Sequence, residues 1–140
     1  MLLVRCLMDW KAFEGLAREH VGAHLGVRLT AQRLPEYPKC FDLVSADGIY
    51  VGDAKYLTLV RGVKLPRAKF MEIAGHVWLL ERTPAQRRFL VFANQRRVAE
   101  WWLEKYGQLV ETVEFYFLSD DGVLEHLPTG TARTNTRGHG

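Results

Sequence analysis

Phe41-Asp-Leu-Val-Ser-Ala-Asp-Gly-Ile-Tyr-Val-Gly-Asp-Ala-Lys-Tyr56 is the stretch that decides the fold of this chain. Asp47-Gly48 lies between two apolar runs, and such a pair is the strongest short-range hairpin signal. A two-residue type I′ turn needs positive φ at both of its centres. A turn there pairs Ala46 with Ile49, Val44 with Val51 and Asp42 with Asp53. Facing residues of an antiparallel pair share one side of the sheet, with Cβ atoms about 4.5–5.5 Å apart. Lys55, two residues beyond Asp53, lies on that side too. The stretch therefore predicts two carboxylates and an ammonium on one patch, next to Val44 and Val51. Like charges directly opposed across strands are destabilising, so a fold that keeps this pair is expected to set a cation between them.

Working outward, Asp9 is the expected N-cap of a helix to about Leu25, with Gly26 just past its end. Trp10, Phe13, Ala17, His20, Val21 and His24 share one face of that helix. Gly26–Gln32 reads as a first strand and Leu34–Lys39, with two prolines, as a loop. Beyond the hairpin, Leu65 or Pro66 opens a second helix to about Arg82, Pro being favoured in a first turn. Its apolar stripe is Phe70, Ile73, Ala74, Val77, Trp78 and Leu80. Arg88–Ala93 is nearly all apolar, which suggests a strand covered on both faces. Asn94 can cap a third helix to about Tyr106, stopped by Gly107. Glu114–Leu118 and Val123–Leu127, around the turn residues Asp120-Asp-Gly122, read as a final strand and a small hairpin. From Pro128 to Gly140 a frayed tail is expected. The order α-β-β-β-α-β, then α-β, mixes a hairpin with a helical crossover. It predicts an α/β (α+β) protein with a mixed central β-sheet flanked by helices, in one domain over residues 1–127.

A chain of 140 residues suits a single core, and 48% hydrophobic with 25% charged residues excludes a disordered polypeptide. No apolar run approaches the ~20 residues of a membrane helix. Met1–Met8 is too short and interrupted for a signal peptide. Cys6 and Cys40 form no disulfide framework; they read as buried free thiols and fit a reducing cytoplasm. The net charge of +3 conceals an asymmetry, because Lys55 to Arg97 holds ten basic residues against Glu72 and Glu81. Such concentration is the footprint expected for a polyanion such as nucleic acid; solvated helix faces are the alternative. Some of Arg87, Arg88, Arg96 and Arg97, which flank a strand and a helix start, are expected at phosphates. His20 and His24 stand at i, i+4, but no third zinc ligand is evident. They read as core or boundary histidines, as does His76. Trp101-Trp102 reads as sheet packing by one member rather than as a base-stacking pair.

Asp53-Ala54-Lys55 sets two functional side chains at i and i+2, and Asp42 joins them across the hairpin. Hard oxygens aimed at one spot suit Mg²⁺, with Mn²⁺ as substitute, completed by waters and a substrate phosphate. Lys55 beside them could orient the attacking water or stabilise the phosphate transition state. Asp42, the hairpin and Asp53-x-Lys55 resemble the signature of the PD-(D/E)xK nuclease superfamily, which includes restriction endonucleases and Holliday-junction resolvases. The resemblance covers about residues 9–93, the α-β-β-β-α-β part. Phe41 stands where the family name has Pro, and the helix after Lys55 lacks the Gln-xxx-Tyr of the exonuclease branch.

The resemblance implies that Asp42 and Asp53 bind metal, that Lys55 assists the attacking water and that a first-helix glutamate joins them. With 3.6 residues per turn, Glu14 falls about 70° from the centre of the apolar face, whereas Glu19 falls nearly opposite it. Glu14 is the one carried over. The expectation is a Mg²⁺-dependent endonuclease of DNA, with Arg61, Lys64, Arg67, Lys69, Arg96 and Arg97 along the nucleic-acid backbone. A homodimer is one expected way of cutting two strands. Of a different class is a non-catalytic nucleic-acid-binding or assembly module on the same scaffold. In an unrelated α/β domain, Asp42 and Asp53 would stand beyond the roughly 6 Å over which charges interact strongly.

Overall fold

The computed structural model describes residues 10–58 and 67–129. Among them six strands form one sheet in sequence order: β1 (Leu29–Arg33), β2 (Cys40–Ser45), β3 (Tyr50–Tyr56), β4 (Arg87–Ala93), β5 (Val113–Leu118) and β6 (Leu124–Leu127). Three helices flank it, α1 (Trp10–Leu25), α2 (Arg67–Arg82) and α3 (Arg96–Tyr106), the last followed by a 3₁₀ turn at Gly107–Leu109. β1, β2 and β3 are antiparallel, β3, β4 and β5 are parallel, and β6 returns antiparallel to β5. The α/β class, the mixed sheet and the element order are those expected. No helix among the described residues is long and apolar enough to cross a membrane. Asp9, Cys6, Arg61, Lys64, Leu65, Pro66 and the tail from residue 130 lie outside the described residues.

The alternation of β4 shows how the layers form. Phe89, Val91 and Ala93 meet Phe13, Ala17 and Val21 of α1, while Leu90 and Phe92 meet α2 and α3. A parallel central strand buried on both faces is nearly all apolar, as expected, with the arginines at its exposed start. On the second face Phe70, Ile73, Val77 and Leu80 of α2 join Val98, Ala99 and Trp102 of α3. Trp102 is fully buried and Trp101 only partly so.

Several local expectations are corrected. The hairpin turn is not type I′, because only Gly48 takes positive φ (76°) while Asp47 does not. The Gly48 N–H donates to the Ser45 carbonyl, and the Asp47 carboxylate accepts from the Ile49 N–H and the Ser45 hydroxyl. These side-chain bonds hold Asp47 at ordinary φ and leave the left-handed position to glycine alone. The register survives, with Val44 opposite Val51 and Leu43 opposite Gly52. Asn94 is not the cap of α3; it sits at φ 79° and its side-chain amide donates to the Leu57 carbonyl, so Gln95 holds the N-cap position. β1 begins at Leu29 rather than Gly26, and Cys40 is exposed rather than buried.

One irregularity bears on the site. Thr30 pairs with Val44 but Gln32 pairs with Phe41, so Ala31 stands opposite both Asp42 and Leu43. This β-bulge turns Phe41 onto the same core face as Val44. Bulges re-aim side chains and end regular pairing. Here the regular β2–β3 pairs stop at Leu43 and Gly52, one residue short of Asp42 and Asp53.

Candidate active site

Where the ladder stops, the carboxylates replace it. The Asp42 N–H donates to Asp53 Oδ1 at 3.1 Å, and the Ala54 N–H donates to Asp42 Oδ2 at 3.0 Å. Each acid satisfies an amide of the opposite strand, which fixes the two carboxyl groups side by side. Asp53 is fully buried and Asp42 half-buried. Lys39, in the loop before β2, sets its Nζ 2.8 Å from Asp53 Oδ2. Lys55 is buried on the α2 side of β3, with Nζ 3.2 Å from Glu72 Oε2. Lys69 shares that glutamate. One turn beyond Glu72, His76 brings Nδ1 to 3.4 Å from Asp53 Oδ2.

One open cavity of about 580 Å³ is walled by Glu14, Asp42, Ala54 and Lys55 together with Lys39, Lys69, Glu72 and His76. Glu14 reaches it from α1, across the sheet from α2. Arg18, one turn further along α1, donates to the Asp42 carbonyl at 3.1 Å and pins the helix to the bulge. The wheel's choice agrees with this placement, Glu14 being half-buried at the cavity and Glu19 exposed.

The electrostatics follow from this crowding. Burial, and then the Asp53 charge, push Asp42 from an ordinary 3.8 up to about 7. Burial also raises Glu14, with Asp53 contributing in the same direction against Arg18. Burial lowers the Lys55 ammonium, partly offset by Asp53 and Glu72. Burial pulls Glu72 upward, but the Lys55 charge and hydrogen bond outweigh it and hold that carboxyl down. Burial, with Lys55 nearby, depresses His76 to about 4, so its ring is neutral at pH 7.

A pH dependence results. Between 3.8 and about 7 the folded chain keeps a proton on Asp42 that the unfolded chain has lost. Through this group, stability falls as pH rises across that window. His76 works in the opposite sense, since its ring is protonated below 6.5 when unfolded but only below about 4 when folded. Asp42→Asn removes the first effect and keeps the second. In chelator, its stability advantage over the parent is expected to widen steadily from about pH 4 to 7 and then level. Urea unfolding of both proteins across that range measures this, and a pH-independent offset would refute it.

Lys39, Glu72 and His76 line the cavity although the sequence reading does not place them there. His76, read as a core or boundary histidine, instead faces Asp53. Its i, i+4 spacing from Glu72 on the helix after Lys55 was the available signal. Lys39 carried none, because its reach to Asp53 depends on how β2 parts from β3. The expected backbone-binding residues divide. Lys69 lines the cavity and Arg67 is exposed at the start of the same helix. Arg96 is instead engaged by Glu100 at 2.9 Å and by both carboxylate oxygens of Glu125. Arg97 lies over the Trp101 ring, 5.2 Å from its centroid. Arg87 pairs with Glu114, and Arg88 donates to the Thr83 carbonyl. His20 and His24 gain no partner ligand, and among the described residues no three His, Cys, Asp or Glu side chains stand ready-made around one point.

Set against known proteins, the chain matches no protein-family model, no curated protein and no solved structure.

Proposed function

We propose that the chain is a metal-dependent nuclease of the PD-(D/E)xK kind, an endonuclease hydrolysing phosphodiester bonds in DNA. One observation carries the reading: the reciprocal amide–carboxylate bonds of Asp42 and Asp53, with buried Lys55 beside them in an open cavity. A binding surface has no use for two adjacent carboxylates, one buried and one half-buried, whereas Mg²⁺ sites are built from one or two carboxylates plus water and phosphate oxygens. The residues present fit such an ion. Asp42 is held in its acid form up to about pH 7 by burial and then its neighbour, an ammonium already sits on Asp53, and the buried His76 Nδ1 has no hydrogen-bond partner.

Asp42 and Asp53 would hold the ion, with Glu14 joining directly or through water. When bound, Mg²⁺ supplies Lewis-acid polarisation of the phosphate and favours deprotonation of water. Lys55 directs Nζ–H bonds at the attacking water or the phosphate, its direction set by Glu72. Glu14 accepts a proton or a water hydrogen bond from the opposite wall. Lys69 and Arg67 hold phosphates of the incoming strand, contacts that position without reading sequence.

Lys39 favours the second reading, a non-catalytic nucleic-acid-binding module, because its ammonium neutralises Asp53 from within the chain. One experiment separates the two. Supercoiled, linear, single-stranded and branched DNA are incubated with the protein and Mg²⁺ or Mn²⁺. The nuclease reading expects cleavage of at least one substrate, abolished by chelator and by Asp53→Asn. If all four remain intact under every condition, that reading is wrong and the binding module stands.

A further inference from the structure

The imidazole of His76 has no task in the scheme above, yet its surroundings are specific. Its Nδ1 is shielded from solvent and makes no hydrogen bond. The nearest acidic oxygen is Asp53 Oδ2 at 3.4 Å, and that oxygen is already bonded to Lys39 Nζ at 2.8 Å. Leaving a buried polar nitrogen unpaired is costly, so such an atom calls for an explanation. α2 packs Ile73, Val77 and Leu80 into the core, which fixes the backbone that carries His76. Lys39 Nζ marks the place beside Asp53 Oδ2 as a cation position. The imidazole nitrogen stands 3.4 Å from that same oxygen, on the α2 side.

Resting on the reading of Asp42 and Asp53 as metal-binding acids, we infer that His76 Nδ1 is a nitrogen ligand of the same centre. Lys39 gives way on Asp53 to the ion. The consequence is selectivity. Carboxylate and water ligands suit Mg²⁺, whereas an imidazole favours first-row transition ions. The centre therefore prefers Mn²⁺ or Co²⁺ to Mg²⁺, and His76 sets that preference.

The test is pulsed electron paramagnetic resonance of the intact protein titrated with MnCl₂. The expected spectrum carries ¹⁴N modulation from a directly bound imidazole, replaced by the ¹⁵N pattern when the protein is made with ¹⁵N-histidine. In His76→Gln the modulation disappears. Mn²⁺ affinity falls at least about tenfold, the loss that even outer-shell partners cause, while Mg²⁺ affinity changes much less. The modulation is read on the parent protein, so the result does not depend on the variant folding. Mn²⁺ bound with affinity abolished by Asp53→Asn, but without nitrogen modulation and with His76→Gln unchanged, overturns this inference and leaves the nuclease reading intact. No bound Mn²⁺ at all overturns both.

Discussion

Replacing Lys55 by methionine is expected to slow DNA cleavage by about 10²–10⁴-fold, the range associated with a positioned proton-handling or charge-stabilising group. Methionine keeps the buried stem and removes only the charged end. The Lys55 side chain is 8% exposed and its Nζ contacts Glu72, which the more exposed Lys69 of α2 also contacts. The same substitution removes a cation near Asp53, a neighbour whose charge acts on Lys55. Divalent-ion binding is therefore expected to hold or tighten while cleavage is lost. Single-turnover cleavage at saturating Mg²⁺, beside a calorimetric titration with Mn²⁺, reads the two quantities separately. Full activity in Lys55→Met would remove the lysine from the mechanism. Loss of activity that merely tracks loss of metal would assign it to the ion site instead.

The largest effect on stability is expected at Trp102. Its ring is 1% exposed and stands 6.3 Å from Phe92, 5.6 Å from Phe115 and 5.3 Å from Tyr106, centroid to centroid. Its Nε1–H donates to the Phe70 carbonyl at 3.1 Å, tying α3 to the first turn of α2. Trp102→Ala therefore opens a cavity between sheet and helices and removes the indole hydrogen bond that ties α3 to α2. A loss of about 3–5 kcal/mol is expected, lowering Tm by roughly 10–20 °C. Trp102→Phe should lose less, since it keeps an aromatic ring but not the hydrogen bond. Thermal and urea unfolding measure both, and a loss under about 1 kcal/mol for Trp102→Ala would contradict this packing. Because α2 carries Glu72 and His76, a folded Trp102→Phe protein with weakened Mn²⁺ binding would show that the site depends on this support.

Much of the architecture was legible because it rests on local periodicity. The nearly all-apolar Arg88–Ala93 run suggests a strand covered on both sides, and β4 alternates between the two core layers accordingly. Glu14 could be chosen over Glu19 because a helix wheel fixes direction to within a fraction of a turn. The misjudged places involve partners distant in sequence. Asn94 was given the common role of a cap, but the Leu57 carbonyl 37 positions earlier claims its side chain. Arg96, expected at phosphate, pairs in this structure with Glu125, which the β5–β6 hairpin delivers 29 positions later. A charge count along the chain cannot see such compensation.

By itself the sequence determined the hairpin register at Leu43–Gly52 and Val44–Val51, and with it that Asp42 and Asp53 come next on the two strands, with Lys55 two residues on. Strand geometry has a period of two and leaves no freedom once Asp-Gly marks the turn. Only the tertiary structure decided how those acids are used. The bulge opposite Ala31 ends the β2–β3 ladder one residue early, and the carboxylates take over the amides it abandons. The same parting lets Lys39 reach Asp53 from the edge, while α2 brings Glu72 and His76 over the strand. A bulge is a compromise between neighbouring strands and the layers packed on them, so no single segment encodes it.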